Sequence, residues 1–93
     1  MNLRFEFDAV KSKRNKFKHG IDFVEAQELW EDDNLIASVT DFEGEVRFTV
    51  IGVADSRHWT AVITYRHAAV RIISVRRARR QEVEAYEAQA HHG

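Results

Sequence analysis

Residues 70–80 read VRIISVRRARR: an apolar, β-branched run from Val70 to Val75 passes directly into the arginines Arg76, Arg77, Arg79 and Arg80. Strand alternation puts Val70, Ile72 and Ser74 on one face and Arg71, Ile73 and Val75 on the other. Apolar groups on both faces predict an interior strand with protein on either side. From Ala78 the period changes. Ala78, Glu82 and Tyr86 recur every fourth residue, with Val83 and Ala85 on the same side, so a closing helix follows the strand. Its charges oppose the helix dipole, because the arginines crowd its start and Glu82, Glu84 and Glu87 lie further along. Two readings are open. The guanidinium groups and the unpaired helix N–H groups form an anion site, or the arginines are a solvated surface with Glu82 and Glu84 as neighbours.

Upstream, Leu3, Phe5 and Phe7 alternate with Arg4, Glu6 and Asp8 as in a short half-buried strand. Asp8 then caps a helix running to about Lys18, with Gly20 placed to stop it and Val10 and Phe17 as its expected buried side. Asp22 and Glu25 have the spacing of a capping box, which opens a second helix to about Trp30 with Phe23, Ala26, Leu29 and Trp30 on one side. Glu31 to Asn34 is a polar turn whose acids have no regular ligand spacing. Strands are expected at Leu35–Thr40, Glu45–Val53 and Trp59–Tyr65, with turns at 41–44, 54–58 and 66–69. The sum is one α+β domain over residues 1–93. An antiparallel meander is packed by two N-terminal helices and a C-terminal helix, one sheet face is free, and the last few residues are a frayed tail.

The 93 residues contain no cysteine, which removes disulfides, thiol nucleophiles and thiolate metal sites. No apolar run is long enough to span a bilayer, so a cytoplasmic location is expected. The net charge of −1 conceals a segregation. Residues 1–20 hold six Lys/Arg against two acids, residues 21–45 hold nine acids and no Lys/Arg, and residues 46–80 hold eight Arg against one acid. Two basic blocks able to meet on one surface are compatible with a polyanionic partner.

The chain resembles the BrnT toxins of bacterial type II toxin–antitoxin pairs. The resemblance rests on the order Phe5, Phe7, Asp8; Lys11, Asn15, Lys18, His19, Gly20; Phe23, Ala26; Gly44, Glu45, Arg47; Tyr65, Arg66; and Arg71, Ile72, Ile73, Ser74, Arg76, Arg77, Ala78, Glu82, Tyr86. One departure is Phe7, where the family usually has Trp; the packing role survives but an indole N–H is lost. The resemblance implies a RelE-like fold and a ribonuclease that stops translation. It also implies a BrnA-like antitoxin with a ribbon-helix-helix domain, through which DNA is engaged only indirectly. No cofactor, metal or membrane is implied.

Metal-free RNA cleavage needs a proton acceptor, a proton donor and charge stabilisation at the phosphate. Arg76 and Arg77 suit the last task, and because they end the strand on opposite faces only one of them faces a given phosphate. His19 is the first candidate for proton transfer, with capping of the preceding helix as its alternative. Tyr86 is a donor, a stacking platform or a core residue, and Glu45 is a base or a partner of Arg47. Lys11, Lys18, Arg47, Arg66 and Arg71 form the expected RNA-binding track. His58, His67, His91 and His92 fit no metal pattern. The alternative to the ribonuclease is a non-catalytic nucleic-acid-binding or partner-docking module.

Overall fold

A computed structural model describes residues 3–91 and orders them β1 (Phe5–Glu6), α1 (Ala9–His19), a 3₁₀ helix (Glu25–Glu31), β2 (Ile36–Phe42), β3 (Glu45–Ala54), β4 (Arg57–Arg66), β5 (Ala69–Arg77) and α2 (Arg80–Ala90). The strands form one mixed sheet in the order β1-β5-β4-β3-β2, with β1 parallel to β5 and every other pair antiparallel. β5 is therefore interior, as its two apolar faces predict. Its alternation slips once. β4 pairs Val62 with Ser74 and Ile63 with Ile72, leaving Ile73 as the extra residue of a bulge. The bulge moves Val75 onto the face of Val70 and Ile72, where all three are buried, and turns Arg71, Ser74 and Arg76 to the other side.

Three two-residue turns join the meander, at Glu43–Gly44, Asp55–Ser56 and His67–Ala68, and all six residues have positive φ. This is the turn whose twist matches that of paired strands. Only the first contains the glycine that advertises such a turn, so the strands run longer than the sequence predicts.

The inner face of the sheet is packed by α1 and the 3₁₀ helix. Asp8 caps α1 by accepting from the amides of Val10 and Lys11, and Gly20 ends it at φ 83°. The expected buried side of α1 is overturned, for Val10 is 58% exposed and Phe17 95% exposed, while Ser12 and Asn15 are buried. Polar anchoring decides this orientation. The Asn15 carboxamide donates to the carbonyls of Ile21 (2.8 Å) and Val75 (2.9 Å) and accepts from the Val75 amide (3.2 Å). Ser12 Oγ accepts from the Phe23 amide at 2.9 Å. Asn15 thus behaves as one more strand residue on the edge of β5 beyond the two-residue β1.

The second expected helix is a 3₁₀ helix. Its buried residues Ala26 and Leu29, with Phe23 just before it, recur every third position, the period of that helix, and the Asp22–Glu25 capping box tightens its entry. Gly52 leaves room over the sheet for Leu35 and for Leu29 of this helix, since a Cβ there would lie 2.7 Å from Leu35 Cδ1 and 3.4 Å from Leu29 Cδ2.

The outer face is not wholly free as expected, because α2 crosses one end of it. Thr60 and His58 of β4 meet Glu82, Tyr86 and Glu87 of α2. The rest of this face is an open trough of Arg47, Thr49, Val62, Thr64, Arg71 and Ser74 beside Ser38 and Thr40. Of the tail, His91 caps α2, and His92 lies outside the described residues.

Candidate functional site

The arginine cluster is dispersed by the fold. Arg76 turns to the outer face, where its two terminal nitrogens donate to Glu82 at 2.7 and 2.8 Å. The same carboxylate accepts from Thr60 Oγ1 (2.9 Å) and from the Arg79 amide (2.7 Å). Arg76 first, then the Arg79 amide and the Thr60 hydroxyl, outweigh burial and hold the Glu82 carboxyl down at about 2. A carboxylate of the chain therefore fills the start of α2, which corrects the expectation of a vacant anion site there: the dipole penalty of the arginines is offset by Glu82 in the first turn. Glu82 is also too weakly basic to act as a general base near neutral pH.

This ion pair has a pH signature. A carboxyl depressed from about 4.5 to about 2 stabilises the fold fully above the unfolded value, and that contribution is lost as pH falls through the folded one. With both side chains partly solvated, the discounted contribution is about 2 kcal/mol. Chemical denaturation should therefore show Glu82→Gln less stable than the parent at pH 6, with the gap closing between pH 4.5 and pH 2.

Arg77 turns to the inner face and is exposed. Its guanidinium carbon lies 5.5 Å from the centre of the Trp59 ring, and among the described residues no carboxylate lies within 4 Å of it. The indole orients the cation without neutralising it. His19, the last residue of α1, lies toward the same end of β5. Asn15 is bonded to Val75, and from that anchor both α1 and β5 advance about 6 Å, to His19 and Arg77 respectively.

The track residues divide between the trough and α1. Thr40 stands opposite Arg47, Thr64 opposite Arg71, and Arg71 opposite Glu6. Glu6 pairs with Arg71 at 3.2 Å and reaches Arg66 at 4.0 Å, and Arg47 lies 3.5 Å from Glu45 and 4.6 Å over the Phe42 ring. Arg47 Nε is shielded and has no hydrogen-bond partner. Asp8 connects the trough to α1: its carboxyl is held below the usual range by the Lys11 amide above all, with further help from the Val10 amide and the charges of Lys11 and Arg71. Lys11 and Lys18 are exposed along α1, which runs beside β5 from the level of Arg71 to that of Arg77. The cations thus divide between the outer face, with Arg47, Arg66 and Arg71, and the α1 side, with Lys11, Lys18 and Arg77, and they meet at Asp8, which feels both Lys11 and Arg71.

Two candidates stand apart from these cations. Glu45 begins β3, six residues or roughly 20 Å before the row that holds Arg76. Tyr86 is buried and donates to Asp32 Oδ2 at 2.7 Å; burial first, and then Asp32, push its hydroxyl up to about 12. Asp32 also accepts from the amides of Val53 and Asn34, and these bonds keep its carboxyl ionised against the effect of burial. Sequence reasoning missed the role of Asp32 as a tie between the loop, β3 and α2. It also missed His58, which pairs with Glu87 at 2.8 Å and packs its ring edge-on to Tyr86. No local spacing could reveal partners 29 residues apart. Among the described residues no cluster of His, Asp and Glu is able to hold a metal ion, and no helix is long and apolar enough to cross a membrane.

A partly exposed α+β sheet with cations on its outer face and along α1 fits proteins that act on a polyanion. Residues 7–82 match the family model described as the ribonuclease toxin BrnT of type II toxin–antitoxin systems. The chain therefore belongs to the BrnT family of ribonuclease toxins. No curated protein matches it.

Proposed function

We propose that this chain is an RNA endonuclease that cuts without a metal ion and thereby stops translation, and that a BrnA-like ribbon-helix-helix antitoxin neutralises it. One observation supports this reading above the others. Among the described residues Arg77 rests on the Trp59 ring without a carboxylate partner, and His19 ends α1 one helical turn beyond the Asn15–Val75 anchor, toward the same end of β5. RNA runs from Arg47, Arg66 and Arg71 past Lys11 and Lys18 toward this end of β5. At that end, His19 takes the proton of a 2′-hydroxyl, whose oxygen bonds to the adjoining phosphorus. The bond from phosphorus to the 5′-oxygen breaks, and that oxygen takes a proton from solvent. Arg77 stabilises the charge gathered on the phosphate oxygens. Arg76 serves the same end of β5 indirectly, by locking the start of α2 to β5 through Glu82. The order of a strand, two helical segments, a four-strand meander and a closing helix supports the RelE-like fold that the family resemblance implies.

The test is incubation of the purified chain with single-stranded RNA in EDTA. Products ending in a 2′,3′-cyclic phosphate and a 5′-hydroxyl are expected. Intact RNA, bound but uncut, would instead identify a binding module. The track has its own prediction. On a non-cleavable 2′-O-methyl RNA, changing Arg47, Arg66 and Arg71 together to Gln should flatten the log K against log[salt] slope by about 2, at roughly 0.7 per phosphate contact on a single strand. An unchanged slope would remove the trough from the path.

A further inference from the structure

Among the described residues the sheet has one open edge. At the other end β1 is only two residues long, and beyond it Asn15 occupies the edge of β5. Among the described residues β2 has no strand on its outer side, and its seven residues pair with β3 in unbroken register. The usual protections of such an edge are missing. Ile36–Phe42 contains no proline, no lysine and no bulge, and Asp41 is its one charge. Val39 is 70% exposed and Phe42 51% exposed.

The geometry points to a second copy of this chain as the occupant, paired antiparallel through β2 about a two-fold axis at Val39. The strand is self-complementary about its centre. Val39 meets the second copy's Val39, Ser38 meets Thr40, Ala37 meets Asp41 and Ile36 meets Phe42, so no like charges oppose one another. A second feature fits the same register. Where the C-terminal half of α2 overhangs β2, Ile36, Ile51, Ala85 and Ala88 line an apolar hollow. Ile36 and Phe42 lie on the same sheet face as this hollow, so the axis brings the second copy's exposed Phe42 to its mouth, and does so twice. The product is one ten-stranded sheet with the two troughs side by side on one face. This inference does not rest on the ribonuclease reading, and its test reads association alone.

Sedimentation equilibrium of the purified chain should show a dimer in the micromolar range. Because the chain lacks cysteine, Val39→Cys supplies a single thiol, and adjacent antiparallel Cα atoms lie within disulfide reach. Mild oxidation should link Val39→Cys into dimers far faster than Ser56→Cys, placed on an exposed turn. Val39→Lys, at an exposed position, should raise the dissociation constant at least about tenfold, with a melting temperature equal to the parent's at concentrations low enough that both are monomeric. Ala37→Lys should instead tighten the dimer about threefold, since the new ammonium faces the second copy's Asp41. A chain that stays monomeric at several hundred micromolar would overturn the proposal. So would equal cross-linking at positions 39 and 56, weakening by both lysines, or protection of the edge only when an antitoxin is bound.

Discussion

Arg77→Ala is expected to lower the rate of RNA cleavage about 10³-fold, because it removes the guanidinium that meets charge developing on the phosphate. Affinity for a 2′-O-methyl RNA should change less than threefold, since one contact of several is lost. Arg77→Lys keeps the charge but not the planar fork or the fit to the Trp59 face, so it should recover only part of the rate. His19→Ala should cost about 10²-fold in the rate per folded molecule with the affinity for 2′-O-methyl RNA unchanged, whereas loss of a purely structural histidine would lower the melting temperature instead. Arg76→Ala is the informative contrast. Its guanidinium is committed to Glu82, so its loss should lower the melting temperature before it lowers the rate per folded molecule. An Arg77→Ala protein that cuts at the parental rate would refute the proposed site.

Asn15→Ala is expected to be the most damaging single change to stability. It strips hydrogen-bond partners from three backbone groups, the Val75 amide and carbonyl and the Ile21 carbonyl, around a side chain that is buried. At roughly 1–3 kcal/mol for each buried group left unpaired, the loss is about 4 kcal/mol. For a domain of this size that lowers Tm by roughly 20 °C. Asn15→Asp separates hydrogen bonding from size. The carboxylate could accept from the Val75 amide but would face two carbonyl oxygens with no proton to donate. Its folded pKa would rise above the unfolded value of about 3.9, so the variant should gain stability as pH falls from 7 toward 4. Thermal melts across that range measure the effect, and an Asn15→Asp protein as stable as the parent at pH 7 would contradict the anchoring role.

How far the sequence could be read followed the range of the interactions involved. The Asp8 cap, the Gly20 stop, the Asp22–Glu25 box and the interior position of β5 were legible, because each depends on residues a few positions apart. The expectation that Val10 and Phe17 are buried failed, because hydropathy has no weight for a carboxamide that can substitute for a strand. The bulge at Ile73 was invisible because it is a property of the pairing with β4 rather than of β5 alone. Among the candidates, the opposite facing of Arg76 and Arg77 followed from strand alternation. Glu82 as a partner of one of them was an open alternative that only the tertiary structure selected, and the support of the other by Trp59 was not legible.

By itself the sequence determined the α+β layering, the interior last strand and the residue order that marks the BrnT family. These follow from local periodicity and from the order of residues along the chain. Only the tertiary structure decided which cations are neutralised, which face of α1 is buried and which sheet edge stays open. Those outcomes depend on groups distant in sequence, such as Asn15 and Val75 or His58 and Glu87, and on the geometry that brings their donors and acceptors within about 3 Å.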